Sequence, residues 1–228
     1  MKHYFLIFIL VVAITSCSNN APNGLSSYEQ GVALAVAGKF EKAQAAFTKA
    51  LQDEADRDIA QQSLVVVRES LSQRLDAQAA IDFFKGIQFS NKGDLLLAFS
   101  YFSNSIKKAP DFANAYYERG IINGRLNLYD KAVADFSKAI ELHPQDRDAY
   151  NNRGLALARG LKEYNQAIAD FTKAVDLDPQ FAEAYDNRAI AYRMAGNDKL
   201  KACADWKMAC DLNRCNSYNL ARQNGYCQ

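Results

Sequence analysis

Thiols are the groups in this sequence best suited to covalent chemistry. Four of the five cysteines, Cys203, Cys210, Cys215 and Cys227, fall in the last 28 residues with the spacing C-x6-C-x4-C-x11-C. A metal centre, a redox couple and disulfide staples are the three chemistries open to such a cluster. Structural zinc sites usually carry a tight knuckle with roughly two to four residues between cysteines. Only Cys210 and Cys215 approach it, and the CxxC of a redox dithiol is absent. The other chemistry-bearing types are thin. His3 and His143 are the only histidines, so no Ser-His-Asp constellation can be assembled. There is no glycine-rich phosphate loop, and no paired catalytic carboxylates stand out. An enzyme, a cofactor and a metal are not expected. The net charge of +1 without a basic run also excludes nucleic acid as a partner, which needs a concentrated basic patch.

Which chemistry the thiols perform depends on the compartment. The chain begins MKHYFLIFILVVAITSC. Lys2 and His3 precede an apolar stretch of 11 residues, Tyr4 to Ile14. A bilayer crossing needs about 20 residues, so the stretch fits the core of a secretory signal, residues 1–16. It ends Ile14-Thr15-Ser16-Cys17, which resembles the lipobox of bacterial lipoproteins. The resemblance implies cleavage before Cys17 and lipidation of its thiol and new amino group. More than one acyl chain makes membrane attachment stable. Residues 17–27 then form the lipidated cysteine and a polar tether. Ser18, where an aspartate would favour the inner membrane, leans towards an outer-membrane lipoprotein facing the periplasm of a Gram-negative cell. The inner membrane, the cell surface and secretion are the alternatives. With Cys17 lipidated, four cysteines remain in a space where disulfides form and persist.

The elements that position those four cysteines are written in a repeat. Gly86, Gly120 and Gly154 are 34 residues apart, and Ala189 follows 35 later. Each is followed at near-constant steps by a small residue, an aromatic and a second small residue: Ala98, Phe102 and Ser105; Ala132, Phe136 and Ala139. Gly31 repeats the series with Ala43, Phe47 and Ala50. Three- and four-residue steps place these on helical faces, with Gly or Asn between paired helices and a proline closing several units. The units after Gly154 and Ala189 carry one extra residue in the turn.

This pattern resembles the tetratricopeptide repeat (TPR) family, whose period is 34 residues. The resemblance implies an all-α fold, an α-α superhelix of antiparallel helix pairs. Units are expected at 28–57, 79–112, 113–146, 147–181 and 182–214, with a capping helix and tail at 215–228. Residues 58–78 break the register and read as a degenerate helical unit, with Leu75 to Gln88 as one long helix.

In this family the first helix of each pair lines a concave face. Carried onto this chain, the lining comprises Phe83, Ile87, Asn91, Tyr117, Ile121, Arg125, Asn151, Leu155, Arg159, Asp186, Ile190 and Arg193. The mixture suits an extended peptide or partner helix, and lacks the lysine-rich clamp of chaperone-binding TPRs. Arg119, Arg153 and Arg188 occur only in units that also carry Asp135, Asp170 and Asp205. They are expected to form structural ion pairs between paired helices.

Cys203 and Cys210 lie on one helix about 10 Å apart along its axis, too far to bond. Cys210–Cys215 with Cys203–Cys227 is the expected pairing, and Cys203–Cys215 with Cys210–Cys227 the alternative. The leading functional expectation is a lipid-anchored periplasmic scaffold that binds a protein or peptide. A structural subunit of an envelope complex and a carbohydrate- or peptidoglycan-binding module are the alternatives.

Overall fold

A computed structural model describes residues 25–196 and 198–227. Among these residues there are twelve α-helices and no strand. They run α1 Ser27–Val36, α2 Phe40–Ala50, α3 Arg57–Leu71, α4 Ala77–Asn91, α5 Leu95–Lys108 and α6 Ala113–Arg125. The chain continues through α7 Tyr129–Leu142, α8 Arg147–Ala156, α9 Tyr164–Leu177, α10 Ala182–Ala195, α11 Lys199–Asp211 and α12 Asn216–Gln223. Residues 1–16 and Cys17, the expected signal and lipidation site, lie outside the described residues.

At α1, α4, α5, α8 and α11 a short polar side chain accepts an orphan backbone N–H group of the first turn. Ser26 and Glu29 make a capping box at α1, and Asp94 Oδ1 accepts the Leu97 N–H at 3.1 Å at α5. The first helix of every pair ends on one left-handed residue: Gly38, Gly93, Asn127, Lys162 or Gly196, with φ between 58° and 80°. That conformation favours glycine, and Lys162 adopts it with a side chain. The extra residue of the Gly154 unit lies before this position. It widens the end of the helix into a π-helical segment, Leu157–Leu161, rather than lengthening the turn. The extra residue of the Ala189 unit falls after Gly196, in the turn itself.

Helices pair as α1/α2, α4/α5, α6/α7, α8/α9 and α10/α11, and α5, α7 and α9 each pack on the first helix of the following pair. The repeated glycine explains the pairing. A methyl group built on Gly86 would meet the Phe102 ring at 2.5 Å, and one on Gly120 would meet Phe136 at 2.8 Å. Only a bare backbone lets the aromatic of the second helix lie that close to the first.

Helix α3 has no antiparallel partner of its own. It packs on α2 and α4, while α4 also packs on α1. The expected long helix from Leu75 does not form. The left-handed Gln73 breaks the backbone, and Asp76 Oδ1 caps α4 by accepting the Ala79 N–H at 2.8 Å, so α4 begins at Ala77.

At the other end, Cys203 is bonded to Cys227 and Cys210 to Cys215, with Cα separations of 5.6 and 3.9 Å. These bonds hold α12 and the tail against α11, and Tyr226 meets the Trp206 ring edge-on at 5.8 Å.

Candidate functional site

A cavity of about 420 Å³ lies between α1, α3, α4, α6 and the α7–α8 turn. Its first wall is Tyr28 of α1 with Ile59, Gln62, Ser63 and Val65 of α3. Phe83, Ile87, Ser90 and Asn91 of α4 form the floor. The opposite wall is Asn114, Tyr117 and Glu118 of α6, with His143, Asp146 and Asp148 from the α7–α8 turn and the start of α8. Drug-sized ligand pockets span about 300–1,000 Å³, so the cavity is large enough for a side chain and its neighbours.

Tyr28, Tyr117, Glu118 and Asp148 are all shifted upward. Burial pushes the Glu118 carboxyl up to about 7, and burial is the sole cause. Burial also raises Asp148, opposed by Arg147 and reinforced by Asp146, Glu183 and Asp58. The Tyr28 and Tyr117 hydroxyls are raised mainly by burial, with Glu118 adding to both. Upward shifts mean that the surroundings disfavour negative charge. None of the lining residues is Lys or Arg. Arg147 pairs with Asp178, stacks on Phe181 at 4.5 Å and also lies 3.8 Å from the lining carboxylate Asp148, and Arg119 is committed to Asp135. Asp146 Oδ1 is occupied as the α8 cap, accepting the Asp148 and Ala149 N–H groups, each at 3.0 Å. Among the described residues, no three His, Cys, Asp or Glu converge closely enough to share a metal ion.

Of the twelve residues expected on the concave face, Phe83, Ile87, Asn91 and Tyr117 line this cavity. The others lie elsewhere. Phe83 itself belongs as much to the core, with the rings of Phe84, Phe102 and Phe112 5.1–5.7 Å away. Asn151 is buried and accepts from Asn187 Nδ2 at 2.9 Å, so it joins α8 to α10. Asp186 is buried and accepts from Arg214 Nε at 3.1 Å. Ile121, Leu155 and Ile190 pack against neighbouring cores. Arg125 donates to Ser90 Oγ at 3.1 Å, while Arg159 and Arg193 are exposed. The second half of the inner face is therefore largely closed by its own contacts.

The three arginines form a separate, repeating brace. Arg119 Nε and Nη2 donate to Asp135 at 2.9 and 2.6 Å, Arg153 to Asp170 at 2.8 and 2.7 Å, and Arg188 to Asp205 at 2.7 and 2.8 Å. The remaining Nη1 reaches back to Ser103, Ser137 or Thr172 of the preceding pair at 3.1–3.2 Å. Each guanidinium also lies over Tyr116, Tyr150 or Tyr185, 5.4–5.7 Å from the ring centre. Each arginine thus joins two helices of its own pair and one of the pair before. The Ser/Thr partner directly follows the aromatic of the preceding unit, so its register was readable in the sequence. In the α4/α5 pair the same register holds Lys85 and Tyr101, which make a cation–π contact at 5.4 Å in place of the ion pair.

The wall residues Tyr28, Ile59, Gln62, Ser63, Val65, Ser90, Asn114, Glu118, Asp146 and Asp148 were not expected as site residues. His143 was read as a solvated turn residue, and it is exposed at the cavity mouth. Asn114 and Glu118 lie on a helix already expected to line the face, and helical spacing from Tyr117 and Ile121 offered a signal for them. The α3 residues had none.

Comparison with known proteins agrees with this architecture. Residues 113–146 match the family described as Tetratricopeptide repeat, and residues 161–196 match a TPR repeat family. The chain is 37% identical over 71 residues to a UDP-N-acetylglucosamine–peptide N-acetylglucosaminyltransferase of Giardia intestinalis, covering 28% of the chain and 5% of that protein. It is 38% identical over 66 residues to an SGT1 homologue of Oryza sativa subsp. japonica, covering 29% and 18%. The chain therefore spans only a small part of these relatives' length. Among solved structures, YrrB, described as a TPR protein with an unusual peptide-binding site, superposes with a TM-score of 0.60 at 20% identity, covering 87% of this chain and 90% of that one. MamA superposes with a TM-score of 0.58 at 21% identity, covering 82% and 96%. In its paired helices and its glycine–aromatic contacts the described chain has the fold of a tetratricopeptide-repeat superhelix, and its segments 113–146 and 161–196 match that repeat.

Proposed function

We propose that this protein is a non-catalytic scaffold that binds a peptide segment of a partner protein on its inner face, at the walled cavity between α3 and α6. The cavity carries this reading: Tyr28, Phe83, Tyr117, Ile59, Val65 and Ile87 give it aromatic and apolar surface, and the other nine lining residues are polar or charged, a mixture that can hold both the side chains and the backbone of a peptide. Two structurally similar TPR proteins support it. YrrB is described as having a peptide-binding site, and the first TPR of Spaghetti (RPAP3) as bound to an HSP90 peptide, with a TM-score of 0.52. We further propose that the protein is anchored by a lipidated Cys17 in the outer membrane, facing the periplasm. The Ile14-Thr15-Ser16-Cys17 pattern supports the anchor. Two disulfide bonds suit an oxidising compartment.

The test is photocrosslinking in intact cells. A photoreactive residue at Gln62 or Tyr117 is expected to capture a discrete partner that the same residue at the exposed Lys207 does not. Equal capture at both positions, or none at either, refutes the inner-face reading. Labelled palmitate is expected to enter the native chain and not Cys17→Ser, and label in both refutes the anchor.

A further inference from the structure

Resting on the peptide-binding reading above, we infer that the cavity selects a basic partner: an extended peptide that places one arginine or lysine side chain between Tyr28, Tyr117 and Glu118.

The cavity holds three carboxyl groups, Glu118, Asp146 and Asp148, and no lysine or arginine among its described lining residues. Asp146 is already satisfied by backbone N–H groups. Glu118 makes no hydrogen bond or ion pair with any described residue, although it sits among buried side chains. An unpaired carboxylate in a partly desolvated site is costly, and such a group normally gains a partner or holds its proton more tightly. Free of ligand, half-buried Glu118 does the latter, its carboxyl raised to about 7 by burial. A cation entering the cavity offers the first. The three carboxyls do not converge on one point, which disfavours a small metal ion. They are spread along a wall faced by rings and aliphatic groups. That suits a cation carried on a long apolar stem, whose methylenes lie on Ile59, Val65 and Ile87 while its head reaches Glu118. A guanidinium adds favourable stacking on Tyr28 or Tyr117. Acidic peptides are opposed, because a carboxylate brought in meets Glu118, Asp146 and Asp148 with no lysine or arginine among the described lining residues.

The titratable groups lining the cavity are Tyr28 from α1, Tyr117 and Glu118 from α6, and His143, Asp146 and Asp148 from the α7–α8 region, while Asp58 of α3 acts on Asp148 from outside the lining. The α4 wall, Phe83 to Asn91, contributes none at the cavity.

The experiment pans a random heptapeptide phage library against the full chain, then titrates the selected peptides calorimetrically. Enriched peptides are expected to share one Arg or Lys. Replacing it by citrulline or norleucine is expected to weaken binding by about tenfold or more, and Glu118→Gln to do the same, with the native far-UV spectrum kept. A second variant, Tyr28→Phe, which keeps the ring, is expected to weaken binding by less than about threefold. Enriched peptides without a shared cation, or equal affinity of the citrulline peptide, overturn this inference and leave peptide binding standing. Peptides that bind Glu118→Gln as tightly as the native chain also overturn it. No enrichment at all removes the peptide-binding reading and this inference with it. Arginine ethyl ester serves as the small-cation control: binding as tight as the selected peptide shows a free-cation site and overturns the peptide assignment.

Discussion

The two halves of this superhelix are held together differently. From α6 to α11 each pair carries the same Arg–Asp–Ser/Thr brace, and the buried apolar residues form small separate clusters, one per interface. From α1 to α5 the brace is missing. There a single cluster runs from Tyr28 to Ile122, with Phe47, Phe84 and Phe102 fully buried within it. Asp82 pairs with Lys108, and Ser105 Oγ donates to the Ala79 carbonyl at 2.8 Å. The regular half stacks identical interfaces and leaves little open inner surface. The irregular half gives up the repeat, places α3 across the inner face, and gains a cavity. Local regularity supplies stability in a solenoid, and the departure from it supplies the site.

The largest effects that test this contrast come from the core. Phe84→Ala and Phe171→Ala each remove a fully buried ring, and each is expected to cost about 3–5 kcal/mol. The two should differ in shape. Urea unfolding of Phe84→Ala is expected to stay a single transition at lower midpoint, because its cluster is continuous. Phe171→Ala is expected to split the transition as the weakened repeats uncouple. Identical single transitions would erase the proposed difference.

Next in size is the stapled end. Closing a loop of the length between Cys203 and Cys227, a separation of 24, restricts the unfolded chain by about 3 kcal/mol in the entropic account. Cys203→Ser with Cys227→Ser should free α12. The readout is hydrogen exchange, faster in 212–227 and unchanged in α1–α5, with a change in Trp206 emission as Tyr226 leaves its ring.

The brace comes third. Arg153→Ala leaves Asp170 buried with no ionic partner, at a cost of about 2–3 kcal/mol. Arg153→Lys cannot reproduce the fork to Asp170 and the arm to Ser137 together, and should recover less than half of that. Lys85→Ala in the irregular half should cost at most about 1 kcal/mol, since it removes only a cation–π contact. Chemical denaturation of the three variants compares them directly.

The smallest effect has the opposite sign. The Glu118 carboxyl is raised from 4.5 to about 7 on folding, so the folded chain holds this proton more tightly than the unfolded one. Its contribution is fully present below about pH 4.5 and is lost as pH rises through 7. Glu118→Gln is therefore expected to be more stable than the native chain by about 1–2 kcal/mol at pH 8 and equal to it at pH 4. Equal stability at both values would mean that Glu118 is not held in a desolvated site.

Much of the fold was legible because its information is local and periodic. Gly120, Ala132, Phe136 and Ala139 recur at fixed steps, and fixed steps on paired helices dictate which residues touch. The Arg119–Asp135 register followed from the same counting. The π-helical end at Leu157–Leu161 was not legible. One inserted residue can enter a turn or widen a helix, and the choice rests on how closely Gly160 approaches Tyr129, where a methyl group would lie 2.0 Å from the ring.

The sequence by itself determined the repeat, the helix pairs and the partners of the bracing arginines, because each depends on spacing within about one period. Only the tertiary structure decided where α3 lies. Ile59 of α3 and Asp148 of α8 line opposite walls of one cavity although nearly ninety residues and no periodic relation separate them. That juxtaposition follows from the break at Gln73 and from how α4 packs on α1, and partial burial there left Glu118 a carboxyl without a partner.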